Sequence, residues 1–238
     1  MDKKKQFKND KRPLRQELIK RTSIEHIYDQ IKIMMYNQEL VPGQKLVLRE
    51  LAHHLKISTT PLLQTLHRLE NARLVRYEQN KGFFVAEISV TETRELFQVR
   101  EALEVYLVPF IIEKITEESI DKIRESFRVH RDSTKPNYRR KLLLTDASFH
   151  LTIAKTSGNQ IFADLLKTTM ERIYLKYRPE YLWEERADKV LKQHRELLDA
   201  FKKKDVELAK KITSEHIQSG MNNMISTLMS ERLESLDF

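Results

Sequence analysis

The sequence predicts a mainly α-helical chain, with an N-terminal winged helix-turn-helix followed by a C-terminal all-α antiparallel bundle of about six helices. Three observations support this prediction. The 238 residues include only 4 glycines and are 33% charged, a composition that favours helices over loop-rich or all-β folds. Apolar residues recur at helical spacing along most of the chain. Residues 75–86 interrupt that spacing with β-forming residues, directly after two short predicted helices.

Charge is divided unevenly along the chain, whose formal net charge is +8. Residues 1–86 contain 17 Lys and Arg against 9 Asp and Glu, whereas residues 87–238 contain 26 of each. The positive excess therefore lies in the N-terminal part, as neutralisation of nucleic-acid phosphates requires. The absence of cysteine excludes disulfides, zinc–thiolate sites and cysteine nucleophiles, and it fits a cytoplasmic protein. No apolar run approaches the ~18 residues of a membrane span, so we expect no membrane partner.

The first 21 residues form a basic segment with nine basic and three acidic side chains. A flexible, solvated tail is the expected structure, and an arm that reaches along phosphates or into a minor groove is the alternative. The next segment, Thr22–Leu40, is predicted to be the first helix. We expect its apolar face to pack behind the two helices that follow, through Ile24, Ile27, Tyr28, Ile31 and Met35.

Two helices with a tight turn between them are predicted within Leu48–Val75. Apolar residues follow the i, i+3, i+4, i+7 pattern in each, and Pro61 is tolerated in the first turn of the second helix. Ser58 or Thr60 can cap that helix. Beyond it, Asn80-Lys81-Gly82 separates two short β-rich runs, which predicts a hairpin. Helix, turn, helix and hairpin make a winged helix-turn-helix, whose second helix is the element that enters a DNA major groove.

After a short linker at Glu87–Val90, helix follows helix. An irregular join is expected at residues 178–185, a loop at residues 133–137 and a left-handed helix end at Gly158. Six helices of this kind form an antiparallel bundle with a central cavity. Their predicted ranges are Thr91–Glu113, Glu117–His130, Tyr138–Thr156, Gln160–Tyr177, Ala187–Lys203 and Val206–Leu228.

In the first helix of the bundle, we expect Pro109 to cause a kink or an interruption near the end. The side chains expected to face inward from this helix are Leu96, Val99, Leu103, Tyr106 and Phe110.

Four side chains of the bundle are of types that ligate metals, and their spacing lets them converge. Asp146 and His150 are four residues apart on the third bundle helix and share a face. His194 and His216 lie eleven residues on either side of Asp205, where the fifth and sixth helices turn, so they reach the same height in an antiparallel pair. Spacing alone leaves two interpretations open, because histidines of helical domains are also ordinary surface or core residues. We expect two further histidines on helix surfaces: His26 and His130.

A set of residues in the N-terminal part keeps a fixed order and spacing: Pro42-Gly43, Leu46, Arg49-Glu50-Leu51-Ala52, Ser58, Thr60-Pro61, Leu66, Arg68-Leu69-Glu70, Leu74-Val75, Asn80, Gly82 and Val85. With this set, residues 24–85 resemble the DNA-binding domain of the GntR family of bacterial transcription regulators. The resemblance implies a DNA-binding domain over residues 22–87, a homodimer, and double-stranded operator DNA as the partner.

Helix geometry and the resemblance together identify the side chains expected to contact DNA. They lie on the outer side of the helix-turn-helix (Leu48 to His67) and in the hairpin: Arg49, Thr59, Thr60, Gln64, His67, Lys81 and Gly82. The sequence departs from the family at two positions, because Thr59 and Leu63 stand where arginines are usual. Arginine on guanine is the commonest specific base contact. We therefore expect an operator that is richer in A·T pairs, or otherwise atypical.

A second set of residues follows in the bundle: Arg100, Leu103-Glu104, Asp146, Phe149-His150, Gly158-Asn159, His194, Leu198, Ala200, Asp205, Ala209 and His216. With these, residues 91–230 resemble the effector domain called FCD, found in the FadR-type subgroup of the same family. The resemblance implies a divalent metal (Zn, Ni or Mn) held by Asp146, His150, His194 and His216. It also implies a small effector, and a carboxylate is the expected class. Arg100 is the candidate second anchor for that carboxylate, and its alternative role is an exposed helix charge or an ion pair with Glu104.

Three functions are compatible with the sequence. The first, which we favour, is a ligand-responsive transcriptional regulator with a metal in its effector site. The second is a metal-dependent hydrolytic enzyme with an accessory DNA-binding domain, although no general base is found at useful spacing. The third is a DNA-binding protein whose metal is purely structural.

Overall fold

The computed structural model describes residues 12–133, 139–177 and 187–234, with side chains over residues 24–133, 141–177 and 187–230. The chain divides into two compact units, Met1–Val85 and Ala86–Phe238. The predicted fold class is confirmed, since a small winged unit precedes an all-helical one. No helix in the described part of the chain has the length and apolar character needed to cross a lipid bilayer.

From residue 12 onwards, where the structure describes it, the N-terminal unit contains three helices and three short strands: α1 (Arg12–Tyr36), β1 (Lys45–Leu46), α2 (Leu48–His54), α3 (Thr59–Asn71), β2 (Val75–Glu78) and β3 (Gly82–Val85). Helix α1 packs on α3. The α1 face expected to be apolar supplies Ile31, and the α3 stripe supplies Leu62, Leu66 and Leu69, all fully buried. These side chains form the core that fixes α3 with its opposite face outward.

The three strands form an antiparallel sheet in the order β1-β3-β2. The predicted hairpin is β2–β3, in which Glu78 pairs with Gly82. Asn80 and Gly82 have φ angles of 64° and 97°, a region that glycine and asparagine adopt at little cost. Strand β1 could not be predicted, because two residues are too few to show a strand's alternation.

Helix α1 begins at Arg12 and ends at Tyr36, so it starts ten residues before the predicted Thr22 and stops short of Leu40. Residues 12–21 are rich in Arg, Lys, Gln and Leu, which favour helix, and Pro13 stands in the first turn, where proline is tolerated. The part of the expected flexible tail before Arg12 lies outside the described residues.

The C-terminal unit consists, over its described residues, of the six predicted helices: α4 (Val90–Lys114), α5 (Glu117–Asp132), α6 (Arg139–Thr156), α7 (Gln160–Lys176), α8 (Ala187–Lys203) and α9 (Val206–Glu234). Helix α4 packs against α9, α7 and α6, while α5 packs against α6 and α8. Helix α9 continues six residues beyond the predicted Leu228. The predicted loop at 133–137, after Ser133, and the predicted join at 178–185 lie outside the described residues.

Side chains cap several of these helices. Ser89 Oγ accepts from Glu92 N at the start of α4, and Thr116 and Ser119 form a reciprocal capping box at the start of α5. Gly158, between α6 and α7, has a φ of 70°, the left-handed conformation expected for it. These caps satisfy backbone groups that the helix ends would otherwise leave without partners.

The inward face predicted for α4 is largely wrong. Leu96 is buried, but Val99, Tyr106 and Phe110 are 48%, 57% and 40% exposed. The buried face instead carries Arg100 and Glu104, together with Phe97, Leu107, Val108, Ile111 and Ile112. Apolar residues occur all round this helix, so periodicity could not tell which stripe faces the core. Helix α4 continues through Pro109 to Lys114, so of the two expected effects of this proline the interruption is wrong and the kink stays a prediction.

Glu92, in the first turn of α4, fastens that helix to α7. Its carboxylate accepts from Arg172 at 2.7 Å and from Lys176 at 2.5 Å. Partial burial opposes ionisation, but hydrogen bonds from these two cations outweigh it and lower the pKa of Glu92. The contact sets the height of α4 against α7, and with it the position of Arg100 two turns further on.

Candidate metal centre and candidate nucleic-acid interface

Four side chains from three helices meet inside the C-terminal unit. Asp146 and His150 come from α6, His194 from α8 and His216 from α9, and one ligand atom of each lies within 4.8 Å of the other three. The three histidines are 1–5% exposed, and the Asp146 side chain is 13% exposed. The i, i+4 spacing on α6 and the equal distances from the α8–α9 turn therefore bring together the residues that the sequence singled out.

Distances within the cluster suit a shared cation. Asp146 Oδ1 lies 3.7 Å from His150 Nε2 and 3.5 Å from His194 Nε2. The Nε2 atom of His216 lies 3.1 Å and 3.3 Å from the Nε2 atoms of His150 and His194. Ligands about 2.1 Å from a tetrahedral ion are about 3.4 Å apart, so the observed spacing fits one ion among these four atoms. Three imidazoles and one carboxylate suit Zn²⁺, Ni²⁺ or Mn²⁺.

A second layer of side chains orients these ligands. Glu104 Oε2 lies 2.6 Å from His150 Nδ1, and Glu104 Oε1 accepts from Arg100 Nε at 2.6 Å. Tyr174 OH donates to Asp146 Oδ2 at 2.6 Å and receives a hydrogen bond of 3.0 Å from Arg100 Nη1. Such partners fix the ring orientation and basicity of metal ligands. The ion pair of Arg100 with Glu104 is present and buried, and Arg100 Nη2 has no hydrogen-bond partner.

Glu104 could be identified from the sequence only as the possible partner of Arg100 and as part of the FCD resemblance, and Tyr174 could not be identified. Nothing in the spacing of Tyr174 on α7 points towards Asp146, since the contact depends on how α6 and α7 pack. The i, i+4 relation between Arg100 and Glu104 was the available signal, and it did not reveal that Glu104 also reaches His150.

Burial lowers the pKa of two histidines of the cluster, whereas a neighbouring carboxylate raises that of the third. Burial lowers the pKa of His216 to about 3, and the neighbouring His150 adds to the effect. Burial also holds the pKa of His194 well below its ordinary value, with His216 as the next cause. Both rings are therefore neutral at pH 7, the form that binds metals. For His150, burial opposes the charged form, but the Glu104 carboxylate outweighs it and the pKa is raised.

The two carboxylates of the site stay ionised despite burial. Burial alone would raise the pKa of Glu104, but the nearby His150 and Arg100 lower it to about 2. Burial would also raise the pKa of Asp146, but nearby positive charge, with His150 as the strongest contributor, holds that pKa well below its ordinary value. Asp146 thus contributes a negative charge to the candidate metal centre.

The prediction that His130 lies on a helix surface is wrong, because its side chain is 1% exposed. Its ring lies 5.1 Å from the ring of His194, and its Nε2 is 4.0 Å from Asp146 Oδ1. Burial lowers the pKa of His130, although the Asp146 charge opposes this. The last turns of α5 pack on α6, and this contact between helices was invisible to helical periodicity.

A cavity of about 100 Å³ opens beside the cluster. One end is polar, with Arg100, His130, Asp146, Tyr174 and His216 in its wall. The rest is mostly apolar and includes Phe97, Leu142, Leu143, Val190 and Met224. A single water molecule needs about 10–15 Å³ of such a cavity, so there is room for a molecule of a few non-hydrogen atoms.

In the N-terminal unit, the side chains expected to contact DNA are exposed. They lie on α2 and α3 opposite the buried stripe, and the exposed set includes Arg49, Thr59, Thr60, Leu63, Gln64 and His67. Ser58 caps α3 by position, without a side-chain hydrogen bond. Thr65, on the buried side, donates to the Pro61 carbonyl at 2.8 Å. Helix α3 therefore presents a polar face interrupted by Leu63.

The hairpin stands beside the C-terminal part of α3. His67 lies 3.0 Å from a Glu70 carboxylate oxygen, and its ring meets Phe83 edge-on at 5.1 Å. Lys81, 70% exposed, pairs with Glu78 at 3.0 Å across the turn that contains Gly82. These contacts leave the Lys81 charge and the His67 ring at the surface.

Two protein-family models match the chain. The model of bacterial regulatory proteins, gntR family, matches residues 23–85, and the FCD domain model matches residues 95–219. The second match alone covers more than half of the sequence.

Similar proteins and structures agree with these matches. The chain is 24% identical over 193 residues to the uncharacterized HTH-type transcriptional regulator YdhC of Bacillus subtilis, covering 79% of this chain and 85% of that protein. It is 24% identical over 188 residues to the HTH-type transcriptional regulator McbR of Escherichia coli, covering 76% and 83%. The E. coli McbR/YncC structure superposes with a TM-score of 0.76 at 21% identity, over 86% of this chain and 97% of that one. These relatives are transcriptional regulators, and none of them is an enzyme.

The charges of the cluster predict how acid affects stability. Below pH 6.5, His194 and His216 are protonated in the unfolded chain but stay neutral in the fold. The unfolded state therefore binds more protons, and the fold loses stability as the pH falls. In chelator-treated protein, the free energy of unfolding should drop by about 2 kcal/mol or more between pH 6 and pH 4.5. Urea unfolding followed by circular dichroism measures this. A His216→Asn variant should show a shallower dependence, and a flat wild-type profile would contradict the assignment.

Proposed function

Because the chain belongs to the GntR family of bacterial regulatory proteins and carries an FCD domain, we propose that it binds operator DNA through its N-terminal unit and that a small carboxylate in the FCD domain changes this binding. We assign DNA binding to residues 22–87 and effector binding to residues 91–230. The chain is a transcriptional regulator, and the hydrolase alternative finds no support among its relatives. Operator DNA lies in the bacterial cytoplasm, so we place the protein there.

The exposed face of α3 supports the proposal that this unit binds DNA. Its polar side chains suit base edges in a major groove, since glutamine bonds adenine bidentately and a threonine methyl contacts thymine. Arg49 of α2 and Lys81 of the hairpin would contact the backbone or a minor-groove edge. Neither Thr59 nor Leu63 has a guanidinium that could contact a base. We therefore expect an operator without the guanines that arginines at these positions contact in the family.

The buried Asp146/His150/His194/His216 cluster supports the proposal of a metal site. Asp146, His150, His194 and His216 would hold a Zn, Ni or Mn ion, and their mutual distances and the neutral imidazoles of His194 and His216 fit that role. Such an ion would supply a Lewis-acidic centre that binds a carboxylate oxygen. The polar end of the cavity adjoins the cluster, which favours an effector site over a purely structural metal.

Arg100 is the proposed second anchor of the effector. Glu104 and Tyr174 hold its guanidinium in one orientation, and Nη2, 4.0 Å from Asp146 Oδ2, has no hydrogen-bond partner. The carboxylate of an effector would accept a hydrogen bond from Nη2. The apolar remainder of the cavity suits a short aliphatic chain behind the carboxylate. Ligand binding here would act on DNA binding by shifting the relative positions of two DNA-binding domains in a dimer.

An apolar face of the FCD unit supports the proposed homodimer. Tyr106 and Phe110 of α4 and Ile161 and Leu165 of α7 are 40–72% exposed, and Tyr106 stacks on Phe162 at 5.4 Å. An apolar patch of this kind on a highly charged protein usually marks an interface. We propose that two copies bury it around a two-fold axis, so that the dimer matches the symmetry of a palindromic operator.

A binding-site selection tests the operator proposal. The wild type should recover sites without family-type guanines. A Leu63→Arg variant should bind a guanine-anchored family-type site about tenfold more tightly at fixed salt, because the added guanidinium can reach guanine O6 and N7. An Asn71→Arg variant adds the same charge at the end of α3 and should gain affinity for all sequences alike. Selection of guanine-anchored sites by the wild type would contradict the proposal.

Ligand-dependent melting tests the effector site. Acetate, propionate or butyrate should raise the melting temperature of protein loaded with Zn²⁺, Ni²⁺ or Mn²⁺, and chelator should remove that shift. An Arg100→Lys variant keeps the charge but loses the planar fork, so carboxylate affinity should fall at least tenfold while metal content stays unchanged. Equal shifts with and without chelator would show that the metal is not part of the effector site.

Sedimentation velocity tests the dimer face. The wild type should sediment as a dimer, and Ile161→Glu should weaken the dimer at least tenfold by placing a charge in the interface. Val129→Glu changes another exposed apolar residue, 39% exposed on α5, and serves as the matched control. A monomeric wild type, or equal weakening by both variants, would refute this choice of face.

A further inference from the structure

Tyr77, in strand β2, places an aromatic ring in the corner between α3 and the hairpin. The residue is 49% exposed, whereas Phe83, its partner across the hairpin, is 2% exposed. The centroids of these two rings lie 5.0 Å apart, and the His67 ring of α3 lies 5.1 Å from Phe83. The His67 and Tyr77 rings lie 6.4 Å apart. Contacts among the three rings therefore hold the Tyr77 side chain beside α3 while leaving it partly exposed.

The pairing of β2 with β3 shows which face of the sheet carries Tyr77. Residues directly opposite in an antiparallel pair share a face, as do residues two apart along one strand. Tyr77 therefore shares a face with Val75, Phe83 and Val85, all of which are buried. Helix α3 packs against β2, so this face is turned towards α3. Tyr77 is the exposed member of the face, next to the pair that closes the hairpin turn.

The corner between α3 and the hairpin is the place where a DNA strand would pass. The proposed binding puts the first turns of α3 in the major groove and the hairpin at a minor-groove edge. One sugar-phosphate backbone separates two adjacent grooves, so it must run between these two elements. His67 lies eight residues after Thr59, about 12 Å along α3 and beyond the N-terminal turns that read bases in such motifs. Side chains in the corner therefore meet phosphates and not base edges.

The two carboxylates closest to the corner have partners of their own. Glu70 Oε2 lies 3.0 Å from His67 Nδ1, and Glu78 lies 3.0 Å from Lys81 Nζ. An ionised carboxylate only accepts hydrogen bonds, so Nδ1 of His67 carries the hydrogen and the neutral ring has no second N–H to donate. The Tyr77 hydroxyl, in contrast, can donate to a phosphate oxygen without any change of charge.

We propose that the Tyr77 hydroxyl donates a hydrogen bond to a phosphate of the DNA strand that runs between α3 and the hairpin. This inference rests on the proposed DNA binding and adds a neutral contact to those assigned to Arg49 and Lys81. A phosphate contact fixes the register of the protein on the duplex without reading its sequence. A neutral donor replaces no counterion of the DNA, so it adds affinity without adding salt dependence.

Salt titrations with two duplexes test this assignment: the site recovered by the selection described above, and a mixed-sequence duplex of the same length. Tyr77→Phe keeps the ring but removes the donor, so both duplexes should bind roughly tenfold more weakly or worse, with the wild-type salt slope. Lys81→Gln should instead reduce the slope of log affinity against log salt by about 0.9 per bound subunit. Tyr28→Phe removes a hydroxyl from α1, where Lys32 and Arg68 lie over the ring, and should leave both affinities unchanged.

Methylphosphonate substitution of one phosphate at a time locates the contact. The difference in affinity between wild type and Tyr77→Phe should largely disappear at one phosphate per half-site and persist at the others. Unchanged affinity of Tyr77→Phe, a loss confined to the selected site, an altered salt slope, or an equal loss in Tyr28→Phe would overturn this inference and leave DNA binding standing. Binding of neither duplex by the wild type would overturn both.

Discussion

The FCD unit depends on a buried chain of charges that runs from Arg100 through Glu104 to His150. Each link is 2.6 Å long, and each group lies where an unpaired charge would be strongly unfavourable. The chain joins α4 to α6, and Tyr174 extends it to α7. Two apolar clusters of the unit lie on either side along α4, one around Phe97 and one around Leu107. The polar chain therefore also fixes the height at which α4 meets its neighbours.

Parts of the fold could be predicted because they depend on spacing along one helix or across one turn. Asp146 and His150 share a face of α6, and His194 and His216 are equidistant from the α8–α9 turn, so local geometry sufficed. His130 could not be predicted to lie near them, because its position depends on how α5 packs against α6. The face of α4 was mispredicted for a related reason: the buried stripe contains Arg100 and Glu104, which become acceptable in a core only through partners on other helices.

The N-terminal unit was more fully predictable than the bundle. Its apolar stripes are short and single-sided, so Leu62, Leu66 and Leu69 identified the buried face of α3 and thereby the outward one. The hairpin followed from asparagine and glycine at positions with positive φ. The fold of the helix-turn-helix is thus determined by local sequence patterns. Its DNA preference depends instead on a few outward side chains, and at some of these positions this sequence departs from its family.

The hydrogen bond between Tyr174 and Asp146 has a consequence for cation choice. Burial raises the pKa of Tyr174 well above its ordinary value, so the phenol keeps its proton and continues to occupy Asp146 Oδ2. Only Oδ1 is then free, and the carboxylate can bind a cation through one oxygen but not through two. Ca²⁺ requires six to eight oxygen ligands, and Mg²⁺ prefers an octahedron of oxygens. One oxygen among three nitrogens would therefore discriminate against both of these hard cations.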